Sequence, residues 1–177
     1  LEGLPTGVTA GNLSDDQGAQ DAMMALAPPN HPVSNLSMAV MSGGLVLDVE
    51  GEVARPLMLI FEGNDAGLSA HPVVLIRLAP AARMVMAEWH QSAVPLSAPL
   101  VGLDLAAKAS LDFVKIQSDS STTSHLAATG VSLATEARLA GFSLSVGGEM
   151  ASLETHVKMA GEGADCRLSA IYLGRGR

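Results

Sequence analysis

From residue 36 onward, apolar and polar positions alternate over short runs that Gly, Pro, Asn or Asp interrupt, a pattern that predicts strands. LSMAVM (36–41) and LVLDVEG (45–51) flank Ser42-Gly43-Gly44, which reads as a tight turn. PLMLIFE (56–62), VVLIRLA (73–79), MVMAEWH (84–90), SLDFVKIQ (110–117), GFSLSVG (141–147), MASLETHVKMA (150–160) and DCRLSAIYLG (165–174) continue the series. Upstream, residues 1–20 are Gly-rich and polar and read as a leading loop. DAMMALA (21–27) predicts one or two helical turns that Pro28 and Pro29 stop, because proline lacks the amide hydrogen and clashes with the preceding turn.

Several runs sort into two faces. In EMASLETHVKMA, Ala151, Leu153, Thr155, Val157 and Met159 share a mostly apolar face, and Ser152, Glu154, His156 and Lys158 share a polar one. MVMAEWH is ambiguous, since Met84 and Met86 share a face with Glu88 and His90. Its orientation stays open at this level.

The runs also repeat. LAPAARM from Leu78, LAAKASL from Leu105, LATEARL from Leu133 and MAGEGADCRL from Met159 each join an aliphatic residue to a small-residue turn and a new strand, at spacings of 27, 28 and 26 residues. About two strands per regular repeat suits stacked β-coils better than a sandwich. The expected fold class is all-β, a parallel β-helix, with the leading loop and short helix over residues 1–35 and the β-helix core over 36–177, interrupted at its C-terminal end.

Composition agrees with such a column. Hydrophobic residues make up 48% of the 177 but aromatics only 3%, so the core must stack Ala, Val, Leu, Ile and Met. Ten Lys and Arg against 18 Asp and Glu give a net charge of −8 without any basic run, which argues against nucleic acid and anionic membranes as partners. No run approaches the ~18 apolar residues of a membrane span. The first 16 residues lack the basic and apolar regions of a signal peptide. The single cysteine excludes an internal disulfide, and the expected location is cytoplasmic.

Candidate chemistry is sparse. Alternation sets Cys166 with Ala164, Leu168, Ala170 and Tyr172, so it reads as a buried packing residue. His31, His71, His90, His125 and His156 are scattered without metal-ligand spacing and read as surface or loop residues; His31 and His71 precede prolines. SDSSTTSH (118–125) has the hydroxyl-rich texture of a loop. GxSxG is absent, and Gly161-Glu162-Gly163 is too short for a phosphate loop. No residue is assigned a catalytic, cofactor-binding or metal role, no cofactor is expected, and the protein reads as a non-enzyme. The rival reading is a carbohydrate-active or adhesive β-helix, which should carry an acidic cleft along one sheet.

The order of segments is informative beyond their individual patterns. NLSMAVMSGGLVLDVEGEVARPLMLIFEG (35–63), VVLIRLAPAARMVMAEWHQS (73–92), LDFVKIQSDSSTTSHLAATGVSLATEARL (111–139) and VKMAGEGADCRLSAIYLGRGR (157–177) follow one another as in the core domain of the SufB/SufD family of iron–sulfur cluster assembly proteins. The resemblance covers about residues 21–177 and is nearer to the SufD branch. It implies a right-handed parallel β-helix and a scaffold role in partnership with SufB and the ATPase SufC. It carries no cluster or metal ligand onto any position here. The chain reads as a piece of a longer protein, closing at Arg175 and Arg177 in a protease-sensitive turn, and self-association through the open end of the β-helix is expected.

Overall fold

The computed structural model describes residues 3–41, 43–65 and 67–174. Arg175 and Arg177, and Ser42 of the expected tight turn, lie outside them. Two helices, α1 (Gln17–Leu26) and α2 (Pro32–Val40), follow strand β1 (Val8–Asn12) and a 3-10 turn at Leu13–Asp15. The remaining chain winds as a β-solenoid of about five turns. Each turn is a strand pair: β2 (Leu45–Val49) with β3 (Leu57–Phe61), β5 (Val73–Leu78) with β6 (Arg83–His90), β8 (Leu100–Leu105) with β9 (Ser110–Gln117), β10 (Ser124–Leu133) with β11 (Arg138–Ser145), and β12 (Met150–Met159) with β13 (Asp165–Tyr172). Two short strands, β4 (Ser69–Ala70) and β7 (Leu96–Ser97), pair in line with the start of β10.

The first strand of each turn stacks in parallel into one sheet, here sheet A, and the second into sheet B. Antiparallel β1 covers the edge of β2 at the start of sheet A. The repeat seen in the sequence is the stacking register itself. Leu78 pairs with Leu105, Leu105 with Leu133, and Leu133 with Met159.

Each repeat turns the same corner. Ala81, Lys108 and Glu136 adopt positive φ of 61°, 63° and 58°, and Gly163 takes the equivalent place at 70°. Amide-to-carbonyl bonds run coil to coil through it, Ala81 to Ala107, Lys108 to Thr135 and Glu136 to Glu162. The next residue points inward as alanine: Ala82, Ala109 and Ala137 are fully buried. Left-handed backbone costs a non-glycine residue roughly 1–2 kcal/mol, partly offset by the entropy that glycine brings. Lys108→Gly should therefore stabilise the solenoid by about 0.5–1 kcal/mol in urea unfolding, whereas a neutral or negative effect would mean that the lysine side chain contributes more than its backbone costs.

Inside the coils, side chains form straight columns. Leu47, Ile76, Leu103, Val131 and Val157 make one on sheet A, facing Met84, Leu111, Leu139 and Cys166 on sheet B. Ala151, Leu153, Thr155, Val157 and Met159 continue the inward columns, but on this last turn only Leu153 and Val157 are half-buried, and Ala151, Thr155 and Met159 are exposed.

The helices differ from expectation in extent. LSMAVM, expected as a strand, lies mostly in α2. His31 caps that helix by accepting from the Ser34 amide at 3.1 Å, and Pro32 opens it. A six-residue apolar run fits both periods, and the start signals five residues upstream decide it. Leu36 and Val40 face outward while Ser37 is buried, donating to the Ala98 carbonyl. The leading segment is also not wholly loop, since it contains β1 and a buried Leu13. DAMMALA does end a helix before Pro28, and that helix starts at an Asp16 cap accepting from the Ala19 amide. Arg77 clamps this cap to sheet A, meeting Asp48 through two bonds of 2.6 and 2.9 Å and Asp16 at 3.3 Å.

The outer faces of the two sheets differ. On sheet A, Val46, Leu75, Leu100 and Ala128 are buried beneath Leu13, Ala19 and Met23. Two glycines permit this close approach: a Cβ on Gly102 would lie 2.8 Å from the Met23 sulfur, and one on Gly130 would collide with the Leu26 carbonyl. On sheet B the register stacks Ile60, Trp89, Ile116, Leu144 and Ile171 in one outward column. Met58, Ala87, Val114 and Phe142 form the next, and no helix among the described residues covers either column.

Candidate functional site

Farther along the same strands from the corner, the interior turns polar. Strand β6, whose orientation the sequence left open, points Met84, Met86, Glu88 and His90 all inward, and the last two are fully buried. Parallel stacking then sets Lys115 beside Glu88 and Gln117 beside His90. Asp119, His125 and Thr129 complete the cluster, each buried.

Glu88 is the hub of one half. Its Oε2 lies 3.3 Å from Lys115 Nζ and 3.2 Å from His90 Nε2. Lys115 also donates to Thr129 Oγ1 at 3.0 Å, which joins sheet B to sheet A through the bore. Asp119 is the hub of the other half: it accepts from the Ser92 amide at 2.6 Å and from Gln117 Nε2 at 2.9 Å, with His125 Nδ1 at 2.8 Å. Ser145 donates to Gln117 Oε1 at 2.7 Å. The two halves touch where the His90 and His125 rings meet edge to face at 5.0 Å, and Phe61 stacks on the other side of His90 at 4.4 Å.

Burial pushes the Glu88 carboxyl up, but the Lys115 ammonium and His90 outweigh it and hold the group below its usual range. Asp119 balances the same way, with burial opposed by His125, Gln117 and the Ser92 amide, and ends below its usual range. Burial holds His90 below its ordinary 6.5 despite Glu88. All three shifts carry one sign. The unfolded chain binds more protons, so stability is complete above pH 6.5, falls as His90 of the unfolded chain titrates below it, and falls again as the two carboxylates protonate at lower pH. Melting midpoints at pH 7.5, 6 and 5 should drop in that order, and His90→Gln should flatten the first step; an unchanged midpoint down to pH 5 would contradict the assignment.

Chemically, the cluster joins structure more than it offers reactivity. Glu88 Oε1, His90 Nδ1 and His125 Nε2 have no hydrogen-bond partner among the described residues, and His125 Nδ1 faces Asp119 out of line for an N–H donor. Internal water satisfies such atoms in many proteins. A metal ion does not fit: the Lys115 ammonium occupies the approach to Glu88, and no trio of ligating side chains converges among the described residues.

The remaining sequence candidates are dispersed. Cys166 is half-buried at the end of its column, with its thiol pushed up by burial and by Asp165, so it is an unreactive packing group. His31 caps α2 and reaches Glu154 at 3.0 Å, while exposed His156 contacts the other oxygen of the same carboxylate. His71 lies in a loop facing Ser69 and Ser37. The surface-or-loop expectation therefore holds for these three and fails for His90 and His125. SDSSTTSH is a loop only through Thr123; Ser124 and His125 open β10. The missed residues had a signal: one 27-residue step carries Glu88 to Lys115, His90 to Gln117 and Trp89 to Ile116.

A family model for the SUF system iron–sulfur cluster assembly SufBD core domain matches residues 61–177, about two thirds of the chain. The chain belongs to the SufBD family. Its matched region takes in four of the five solenoid turns and every member of the buried cluster. Searches of curated proteins and of solved structures return no match. A SufBD core with this interior takes part in iron–sulfur cluster assembly, and its charged residues cross-brace the two sheets from within. No helix among the described residues is long and apolar enough to cross a membrane.

Proposed function

We propose that this SufBD chain is the SufD-like component of its assembly system, a non-catalytic scaffold that holds SufB and SufC in the cytoplasm while a cluster is built as cargo. The observation that supports a scaffold role is the solenoid interior: ionic groups that could carry chemistry are spent on one another inside the bore, at 0–4% exposure. A stack of coils braced in this way is stiff, and stiffness is what a platform for partner surfaces requires. Among the described residues, the two central outward columns of sheet B are apolar and hold no row of the carboxylates that a glycan-cleaving β-helix would need.

Co-expression of the tagged full-length gene product with SufB, SufD and SufC tests this. Recovery of SufB and SufC in constant ratio is expected. Recovery of SufD in place of SufB would put the chain in the SufB position, and recovery of neither paralogue would end the scaffold reading while leaving the family intact.

A further inference from the structure

We propose that the outer edge of β3 is a docking site for a single extended segment of a partner protein, which adds to sheet B as one more strand. The two sheets end unevenly at the start of the solenoid. Sheet A runs one strand beyond the first turn, because β1 pairs with β2, whereas sheet B stops at β3. No strand among the described residues lies opposite β1.

Backbone chemistry marks this edge as unfinished. The Phe61 carbonyl accepts from the Gln91 amide, and two residues on the Gly63 carbonyl accepts from the Ala93 amide. In a parallel ladder both polar groups of a residue point the same way. Leu57, Leu59 and Phe61 therefore turn theirs to β6, and Met58 and Ile60 turn theirs away, where no backbone partner among the described residues meets them. Edge strands are commonly blunted by a charge, a proline or a bulge, and LMLIF, in unbroken register with β6, has none of these. Residues 58–62 line a cleft of about 920 Å³ whose other walls include Met41, Leu45, Pro72 and Val73, so an incoming chain can reach the edge.

Width selects the occupant. Strands stack at ~4.8 Å, and the step from β1 down to β3 is one strand deep. A second copy brought head to head would meet at the two β1 strands before the β3 edges came within hydrogen-bond reach. Brought head to tail, its β12 would meet β1 while its β13 was still one strand short of β3. One extended segment fits the step and a second solenoid does not. Its inward side chains would lie beside half-buried Leu59 and Phe61 and its outward ones beside exposed Met58 and Ile60, so uncharged β-formers suit it. The charges flanking β3 are Glu52 and Arg55 on the corner side, with Arg83 beside Glu52, and Glu62 and Asp65 on the other. None lies within the strand, so the selection rests on the backbone.

The probe is a synthetic peptide of seven alternating Thr and Val residues with one Lys at each end, titrated into the 177-residue chain alone, which makes the test independent of the SufD-like assignment. Amide exchange at Met58 and Ile60 should slow on saturation, while Leu57, Leu59 and Phe61, already bonded to β6, change little. Of two versions N-methylated on alternate residues, one should bind about tenfold or more weaker and the other as well as the parent, because only one set of amides faces β3. Ile60→Pro should abolish binding and leave the melting midpoint near wild type, since the amide that it removes is not used by β6. The methylated pair decides the matter on the wild-type chain if that variant fails to fold. The proposal is overturned if both methylated versions bind alike, if the Met58 and Ile60 amides are protected before any peptide is added, if their exchange does not change, or if sedimentation shows a dimer of the chain that Ile60→Pro dissolves.

Discussion

Lys115→Met should cost the protein about 3–5 kcal/mol at neutral pH, among the largest effects of any single substitution here, because it leaves the Glu88 carboxylate buried without its ammonium. Glu88 is fully buried, and Lys115 Nζ lies 3.3 Å from it. The remaining neighbour, His90, is itself held neutral by burial and can compensate only by taking up a proton. The deficit relative to wild type should shrink on acidification, since a protonated Glu88 no longer needs a cation. Glu88→Gln combined with Lys115→Met should recover most of the loss, because removing both charges also removes their desolvation cost. Urea unfolding of the two single variants and the double variant closes this cycle. If Lys115→Met alone were within about 1 kcal/mol of wild type, the pair would be solvated in solution and the burial of Glu88 and Lys115 described above would be wrong.

Leu105→Ala should cost about 3–5 kcal/mol, through lost burial and a cavity that the stack cannot close. Leu105 is fully buried between Leu78 and Leu133 in the column nearest the corner, so both neighbours lose a packing partner. A solenoid passes stability from coil to coil, and a gap in its middle weakens two interfaces at once. Amide exchange should therefore accelerate in β5 and β10 together as well as in β8. Acceleration confined to β8 would show that the coils are less coupled than their register suggests.

The repeat was the most legible feature of the sequence, because the spacings between Leu78, Leu105, Leu133 and Met159 are the register of the stacked strands. Strands β8 and β10 were harder to read, since Gly102, and Gly130 with Ala127 and Ala128 before it, resemble loop punctuation. Those small residues exist to admit the helices, a tertiary reason that local pattern does not contain. The helix at Pro32–Val40 was hidden for the opposite reason, its short apolar run fitting either period. The polar interior was hidden by the rule that charges face water, which fails where a parallel neighbour supplies the counter-charge one coil away.

The most direct test of the account is in cells that rely on the SUF system alone. Deleting the gene should lower the activity of iron–sulfur enzymes without lowering the amount of their apo-proteins, and the wild-type gene and Cys166→Ala should both restore it, the cysteine being a packing group. Enzyme activities unchanged by the deletion, or a Cys166→Ala protein that folds and fails to restore them, would contradict the account.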